Sequence, residues 1–117
     1  MRRVALLLLI ASCAAEAHDA HGRSNAPLEA RHPKSPLTDP AIHLDSGKAL
    51  YQASCVACHG DDGKARTKLA GSLPVRPTDL SDYLMESMRE GEIYWVVTHG
   101  INQSMPAFES KLDETQR

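Results

Sequence analysis

Cys55-Val56-Ala57-Cys58-His59 is the stretch that decides the fold of this 117-residue chain. Its two thiols lie three positions apart, and an imidazole directly follows the second. On one turn of helix, residues i and i+3 face the same side, so Cys55 and Cys58 could each form a thioether with one vinyl group of a porphyrin. His59 would then lie close enough to bind the iron. Because this spacing is the attachment signature of c-type haem, we expect one haem c, held covalently through two thioethers.

Two other uses of a Cys-x-x-Cys pair fit the sequence less well. A redox dithiol needs a βαβ setting of the thioredoxin type, and no such pattern surrounds the motif. A closed zinc site needs a second pair of ligands at similar spacing. The remaining cysteine, Cys13, lies in the predicted export signal, and His43 and His99 are isolated. Export also favours haem, because this attachment chemistry takes place outside the cytoplasm.

Residues 1–17 are predicted to be a secretion signal. The signal has a positive start, an apolar stretch and a small-x-small cleavage site, in the order Arg2-Arg3, Val4–Ala11 and Ala15-Glu16-Ala17. The apolar stretch is shorter than the roughly 20 residues of a membrane-spanning helix. A lipoprotein signal that ends before Cys13 is the alternative, because Ile10-Ala11-Ser12-Cys13 resembles a bacterial lipobox. Both interpretations place the mature protein in the periplasm or otherwise outside the cytoplasm, and lipidation of Cys13 would anchor it to a membrane.

Residues 18–40 are expected to form a Pro-rich disordered arm. Four prolines are spread through this stretch, no apolar period is visible, and repeated prolines prevent an α-helix. Its histidines, His18, His21 and His32, are interpreted as solvated side chains. The arm therefore leads to a single domain over residues 41–117.

The domain of residues 41–117 is near the size at which a hydrophobic core alone gives little stability. The whole chain contains one Trp, one Phe and three Tyr. A haem at the centre would supply the apolar surface that the side chains lack. The formal net charge of −2 is not that of a nucleic-acid-binding protein.

Capping and turn residues predict short helices in this domain. Asp45 or Ser46 could begin a helix that runs through Ser54 into the haem motif, and Gly60-Asp61-Asp62-Gly63 would end it. Residues 64–78 are expected to be irregular. Asp79 or Ser81 could cap a short helix that ends at Met88.

Two further segments complete the helical prediction. Residues 91–100 fit both a helical face and strand-like alternation, but no partner strand is visible, so we predict a helix that Gly100 ends. Asp113 could cap a final helix with Glu114 in its first turn, and this helix is expected to be incomplete within the sequence. An all-α domain is the result.

Met105 is the candidate for the second axial ligand of the iron. Met85 and Met88 lie in a predicted helix, where methionine more often fills a core. Met105 instead follows a loop and precedes Pro106, which stiffens the chain after it. Ligation by Met and His raises the reduction potential relative to two nitrogen donors. Packing in the core is the alternative role for Met105.

Three blocks of sequence, Tyr51–Gly63, Gly91–Ile101 and Met105–Phe108, resemble the small class I monohaem cytochromes c of bacteria. The resemblance covers residues 44–117. It implies the all-α cytochrome c fold, in which three to four short helices surround one covalently bound haem. It also implies that His59 and Met105 are the axial ligands, and that the protein carries single electrons between redox proteins outside the cytoplasm. The partners would dock transiently, and a haem-ligation system would be needed for maturation.

Two features depart from this family. The family's final helix crosses the first helix near the positions of Gly47 and Tyr51, whereas here it would start at Asp113 and is cut off. The loop after Gly63 is often rich in Gly and Ala in the family, and here it is basic. The resemblance also suggests that the carbonyl of Pro74 or Pro77 accepts a hydrogen bond from His59.

Several residues of the domain have two possible roles. Arg76, Tyr94 and Trp95 could bind a haem propionate or could serve in packing. Two sets of charged residues could steer partner proteins or could simply be solvated. The basic set is Lys64, Arg66, Lys68 and Arg76, and the acidic set is Asp79, Asp82, Glu86, Glu90 and Glu92. Two other functions also remain open. One is a haem sensor with a free sixth position, and the other is a tethered haem subunit of a larger oxidoreductase complex.

Overall fold

The computed structural model describes residues 25–35, 37, 39–101 and 104–117. The predicted secretion signal, Cys13 and the start of the arm lie outside these residues. Five α-helices are present in the described part: α1 Leu44–Ser54, α2 Val56–His59, α3 Lys68–Ser72, α4 Tyr83–Glu86 and α5 Glu90–His99. Two 3₁₀ helices, Leu28–Arg31 and Pro40–His43, precede them. No β-strand occurs within these ranges, so the all-α prediction is confirmed.

No helix in the described ranges has both the length and the apolar character needed to cross a membrane.

The first long helix begins earlier than the sequence predicted. α1 starts at Leu44, and its N-cap is His43 rather than Asp45 or Ser46. The reason lies upstream, where the Asp39 carboxylate accepts a hydrogen bond from the Ala41 amide at 3.0 Å and starts the 3₁₀ helix that leads directly into α1. The chain is therefore already helical when it reaches Asp45.

The region expected to be irregular, residues 64–78, contains α3. Thr67 caps this helix, because its hydroxyl accepts a hydrogen bond from the Ala70 amide at 3.0 Å. The same hydroxyl donates to the Ala57 carbonyl in α2 at 2.8 Å. One side chain thus starts α3 and fastens it to the helix that carries the haem motif.

The next two helices follow the prediction with small shifts. α4 is shorter than expected and is capped by Asp82, not by Asp79 or Ser81. α5 agrees with the predicted helix and ends at Gly100, whose φ of 73° few other residues adopt. A Cβ on Gly100 would overlap the Met105 carbonyl oxygen and lie 2.8 Å from the Ala107 amide nitrogen. The chain therefore turns back tightly after α5.

The residues near Asp113 form a single turn. The Gln116 amide donates to the Asp113 carboxylate at 2.9 Å, and the Asp113 amide donates to the Gln116 side chain at 3.0 Å. The Arg117 amide donates to the Asp113 carbonyl at 3.1 Å. Asp113 thus acts as the predicted cap of a first helical turn.

Part of the predicted disordered arm is folded in the structure. Leu28–Arg31 form a 3₁₀ helix, and the residues up to Ser35 lie against α5; we call Leu28–Ser35 the docked arm. Proline excludes an α-helix here, but it is compatible with a short 3₁₀ helix that begins after Pro27 and ends before Pro33.

Apart from α4, the described helices pack in two groups. In the first group, α1 contacts the Pro40–His43 3₁₀ helix and α2, and α2 contacts α3. In the second group, α5 contacts the docked arm. Buried apolar side chains in the described ranges are few and mostly small: Ala30, Ala65, Ala70, Val96 and Phe108. A protein core this small is typical of a domain that packs around a cofactor.

An open groove of about 530 Å³ runs along the outer face of α1. It is lined by Leu37, His43, Leu44, Gly47, Lys48, Tyr51, Gln52 and Asp61. Leu44 is 69% exposed beside it. None of the predicted haem-binding residues lines this groove; it lies where the family resemblance places a crossing helix.

Thr67→Val is predicted to destabilise the protein by about 1–2 kcal/mol, because it removes both the α3 cap and the hydrogen bond to α2. Thr67→Ser keeps the hydroxyl and should retain most of the stability. Urea denaturation of the haem-loaded proteins measures the difference. Equal stability of the Val and Ser variants would contradict the assignment of this contact.

Candidate haem-binding site

The haem motif forms a continuous helical turn between α1 and α3. The Cys55 amide donates to the Tyr51 carbonyl at 2.8 Å, and the His59 amide donates to the Cys55 carbonyl at 3.0 Å. This geometry places positions i and i+3 on the same side of the turn, so Cys55 and Cys58 share a face. Both thiols are free and half-buried. The structure therefore brings together three of the four predicted site residues.

His59 is half-buried at the end of α2. Its Nδ1 atom is buried and has no hydrogen-bond partner among the described residues. Burial lowers the pKa of His59, and the nearby backbone of Thr78 partly offsets this effect. The imidazole is thus kept neutral, which is the form that binds a metal. Thr78 directly follows Pro77, so the predicted proline loop comes close to the ring.

The Cys55 thiol is also affected by its surroundings. Burial raises its pKa, and the neighbouring Cys58 raises it further. Cys55 is therefore held as a protonated thiol at neutral pH. A protonated, half-buried thiol is a poor site for nonspecific oxidation and stays available for a thioether bond.

Hydrogen bonds from outside the motif hold this turn in place. The Tyr51 hydroxyl donates to the Gly60 carbonyl at 2.7 Å, and the Ala65 amide donates to the His59 carbonyl at 2.8 Å. Thr67 adds the bond to Ala57 described above. Sequence reasoning missed these three roles. The one local signal was a Thr directly before a possible helix, whereas the partners of Tyr51 and Ala65 depend on how the chain turns after Gly60.

Met105 lies on a loop that the end of α5 holds. The Ile101 amide donates to the Met105 carbonyl at 3.0 Å, and the Met105 amide donates back to the Ile101 carbonyl at 3.2 Å. The Ser104 hydroxyl also donates to the Ile101 carbonyl at 2.9 Å. Met105 is half-buried and belongs to the second packing group, whereas the cysteines and His59 belong to the first.

The candidate propionate residues have partners within the protein. Arg76 lies 3.4 Å from the Ala65 carbonyl through two of its nitrogens. Trp95 stacks on His99 with ring centroids 4.5 Å apart. The Tyr94 hydroxyl accepts a hydrogen bond from Arg117 at 3.2 Å, and the same guanidinium lies over the Tyr94 ring. These contacts favour packing roles for Tyr94 and Trp95.

The charged residues do not all lie on solvated faces. Among the basic set, Arg66, Lys68 and Arg76 are exposed. In the acidic set, Asp79 accepts hydrogen bonds from the side chain and backbone of Ser81, which lower its pKa. Glu92 differs most from the expectation, because it is 7% exposed and paired with Arg31. It is a structural carboxylate and not part of a docking face.

The residues of the motif fit a covalently bound haem. They supply two free thiols on one helical face, followed by a neutral imidazole with an unpaired buried nitrogen. Such a nitrogen is costly to bury without a partner, and it is available either to a metal or to a supporting hydrogen bond. No group of three or more His, Cys, Asp or Glu side chains converges in the described ranges.

Comparison with known protein families agrees with this geometry. The family model described as "Cytochrome C oxidase, cbb3-type, subunit III" matches residues 43–117, which begin just before α1. A comparison with curated proteins found no match. The matched domain is of the cytochrome c type, so it binds haem c covalently and takes part in haem-based electron transfer. Because the match covers more than half of the chain, the protein belongs to the family of cbb3-type cytochrome c oxidase subunit III, as a small monohaem cytochrome c-like member.

Proposed function

We propose that this protein is a one-electron carrier outside the cytoplasm, with its haem attached to Cys55 and Cys58 and its iron bound by His59 and Met105. The observation that carries the proposal is the helical turn that presents two free thiols and an unpaired imidazole on one short segment. Membership of a cytochrome c family supports the electron-transfer class.

The chain's own residues have distinct roles in this proposal. Bound haem supplies an iron that gains and loses one electron. Cys55 and Cys58 retain the cofactor covalently, and His59 orients it through a short helix that Tyr51 and Thr67 hold. These residues would bind and orient the group, and the group would supply the one-electron chemistry.

Met105 is a better candidate ligand than the other methionines of the domain. Met85 lies within α4 and Met88 just beyond it, where both are half-buried. Met105 lies on a loop whose backbone is paired with Ile101, so its position is defined without an enclosing helix. Together with His59 it would give a higher potential than two nitrogen ligands.

Partner proteins would dock transiently at the exposed cations near the motif. Arg66 and Lys68 lie on the segment that packs against α2, and Arg76 reaches the same segment through Ala65. Exposed charges of one sign raise the rate of encounter with a partner of opposite charge. Redox encounters of this kind use small interfaces, so an acidic patch around the partner's own cofactor would be sufficient.

A tethered haem subunit of a larger oxidoreductase complex is the second candidate. The family's description, subunit III of a cbb3-type oxidase, favours it. In that case the N-terminal segment would connect the haem domain to its complex or, with a lipidated Cys13, to the membrane. Co-purification of the native protein with an oxidase would support this candidate over a free carrier.

Replacement of both Cys55 and Cys58 by Ser is predicted to abolish covalent haem attachment. Protein made with a working haem-ligation system should retain haem on a denaturing gel, whereas the double variant should not. Cys13→Ser serves as the matched control and should retain the haem. Colourless wild-type protein under these conditions would overturn the proposed function.

Met105→Ala is predicted to remove the iron–thioether absorption band, lower the reduction potential and allow carbon monoxide to bind. Met88→Ala is the control, because it removes a half-buried methionine outside the loop. Spectra and potentiometry of the two variants decide the assignment. Rapid carbon monoxide binding to the wild type would instead favour the haem-sensor function.

The mature N-terminus is predicted to be His18, after cleavage that follows Ala17. Mass spectrometry of protein purified from the periplasm measures this directly. A mature protein that begins with a diacylated Cys13 would contradict the prediction and would support the tethered subunit.

A further inference from the structure

The docked arm rests directly on the first turn of α5. Ala30 is 8% exposed in this contact. Gly91, the second residue of α5, allows the close approach, because a Cβ at this position would overlap the Ala30 carbonyl oxygen and lie 2.8 Å from the Pro33 carbonyl oxygen. The backbone of the arm therefore packs against the backbone of the helix, which only glycine permits here.

Charged groups reinforce this contact on both sides of Gly91. The Arg31 guanidinium donates to the Glu92 carboxylate at 3.0 Å, and the Ser35 amide donates to the Glu90 carboxylate at 3.0 Å. Glu92 also accepts from the Arg89 amide at 3.0 Å and so caps α5. Burial alone would raise the pKa of Glu92, but hydrogen bonds from Arg89 and Arg31 and the charges of both residues outweigh it and lower the pKa. Glu92 is thus ionised and joins the arm to the helix terminus.

The docked arm is the helical neighbour of α5. Within the described ranges, no Cα atom of α5 lies within 8 Å of a Cα atom in α1–α4. The first turn of α5 is held through Glu90, Gly91 and Glu92, all of which contact the arm or its carbonyls. The orientation of α5 therefore depends on a segment that precedes the haem motif by about two dozen residues in the sequence.

The C-terminal end of α5 holds the Met105 loop both before and after Met105. On one side, Gly100 leads into the Ile101–Met105 pair of hydrogen bonds. On the other, the Phe108 amide donates to the Val97 carbonyl at 3.0 Å, and the Glu109 amide donates to the Thr98 carbonyl at 3.2 Å. The last carbonyls of α5 thus fasten the chain just beyond Met105, so a tilt of α5 moves the loop with it.

We propose that the docked arm is a strut that positions Met105 through α5. Arg31, Gly91 and Glu92 are positioning residues in this proposal, because they act on the ligand through the helix and do not touch the cofactor. The inference rests on the proposed role of Met105 as an axial ligand. It adds that residues before the haem domain determine how firmly this ligand is held.

Gly91→Ala tests the strut without weakening the helix. Alanine has a higher intrinsic helix propensity than glycine, so any loosening must come from displacement of the arm. Gly71→Ala in α3 is the matched control, because a Cβ there meets no atom within 4 Å. In haem-loaded Gly91→Ala, we expect a partial loss of the iron–thioether band and faster hydrogen exchange at the Ile101 and Met105 amides. The Gly71→Ala variant should resemble the wild type in both.

Arg31→Ala is the second variant, in case Gly91→Ala does not fold. Lys34→Ala is its control, because Lys34 is exposed and no partner holds its ammonium group within the described ranges. We expect a rise of about two- to fivefold in the fraction of protein that binds carbon monoxide, because Arg31 is half-exposed and solvent weakens its bond to Glu92. Arg31→Lys should reverse part of this rise, because it restores the charge but not the geometry of the guanidinium.

Limited trypsin digestion shows whether the arm has been released. Cleavage after Lys34 should be faster in the Gly91→Ala and Arg31→Ala variants than in the wild type. Faster cleavage with an unchanged thioether band and unchanged exchange at Met105 would overturn the strut. An unchanged cleavage rate would also overturn it, because the arm would then not depend on these contacts. Failure of the proposed function is distinguishable, since the wild type itself would then lack the thioether band.

Discussion

The two groups of helices in the described part of this structure share no close backbone contact, so each group must hold its own residues in place. His59 and both cysteines belong to the group of α1, α2 and α3, whereas Met105 belongs to the group of α5 and the docked arm. In our proposal the cofactor joins them. Under that proposal each group would hold its own iron ligand by local contacts. Hydroxyl groups of Tyr51 and Thr67 do so on one side, and close backbone contacts at Gly91 and Gly100 do so on the other.

Local contacts are different in kind on the two sides. The haem motif is held by side-chain hydroxyls, from Tyr51 to the Gly60 carbonyl and from Thr67 to the Ala57 carbonyl. The Met105 side is held by backbone approaches that only glycine allows, at Gly91 against the arm and at Gly100 against the Met105 carbonyl. A small buried core explains both, because a domain with little apolar packing of its own depends more on specific polar and steric contacts.

The errors of the sequence-based prediction arise where contacts outside the local segment decide the structure. Asp45, Asp79 and Ser81 are good capping residues, yet His43 and Asp82 occupy the N-cap positions. A cap is decided by where the preceding chain has turned, and that turn was set upstream, by Asp39 in the first case. Glu92 lies in a run of acidic residues that the sequence suggests is solvated. It is buried instead, because Arg31, which is distant in the sequence, forms an ion pair with it.

The amino-acid sequence by itself determined the chemistry of the site and the helical class of the fold. The spacing of Cys55, Cys58 and His59 and the break at Gly100 are local properties, and one or two turns of chain are enough to define them. Only the tertiary structure decided that the docked arm folds onto α5. That contact joins residues 61 positions apart, as in the Arg31–Glu92 pair. No local sequence pattern indicates that the Ala30 carbonyl occupies the space that a side chain at Gly91 would need.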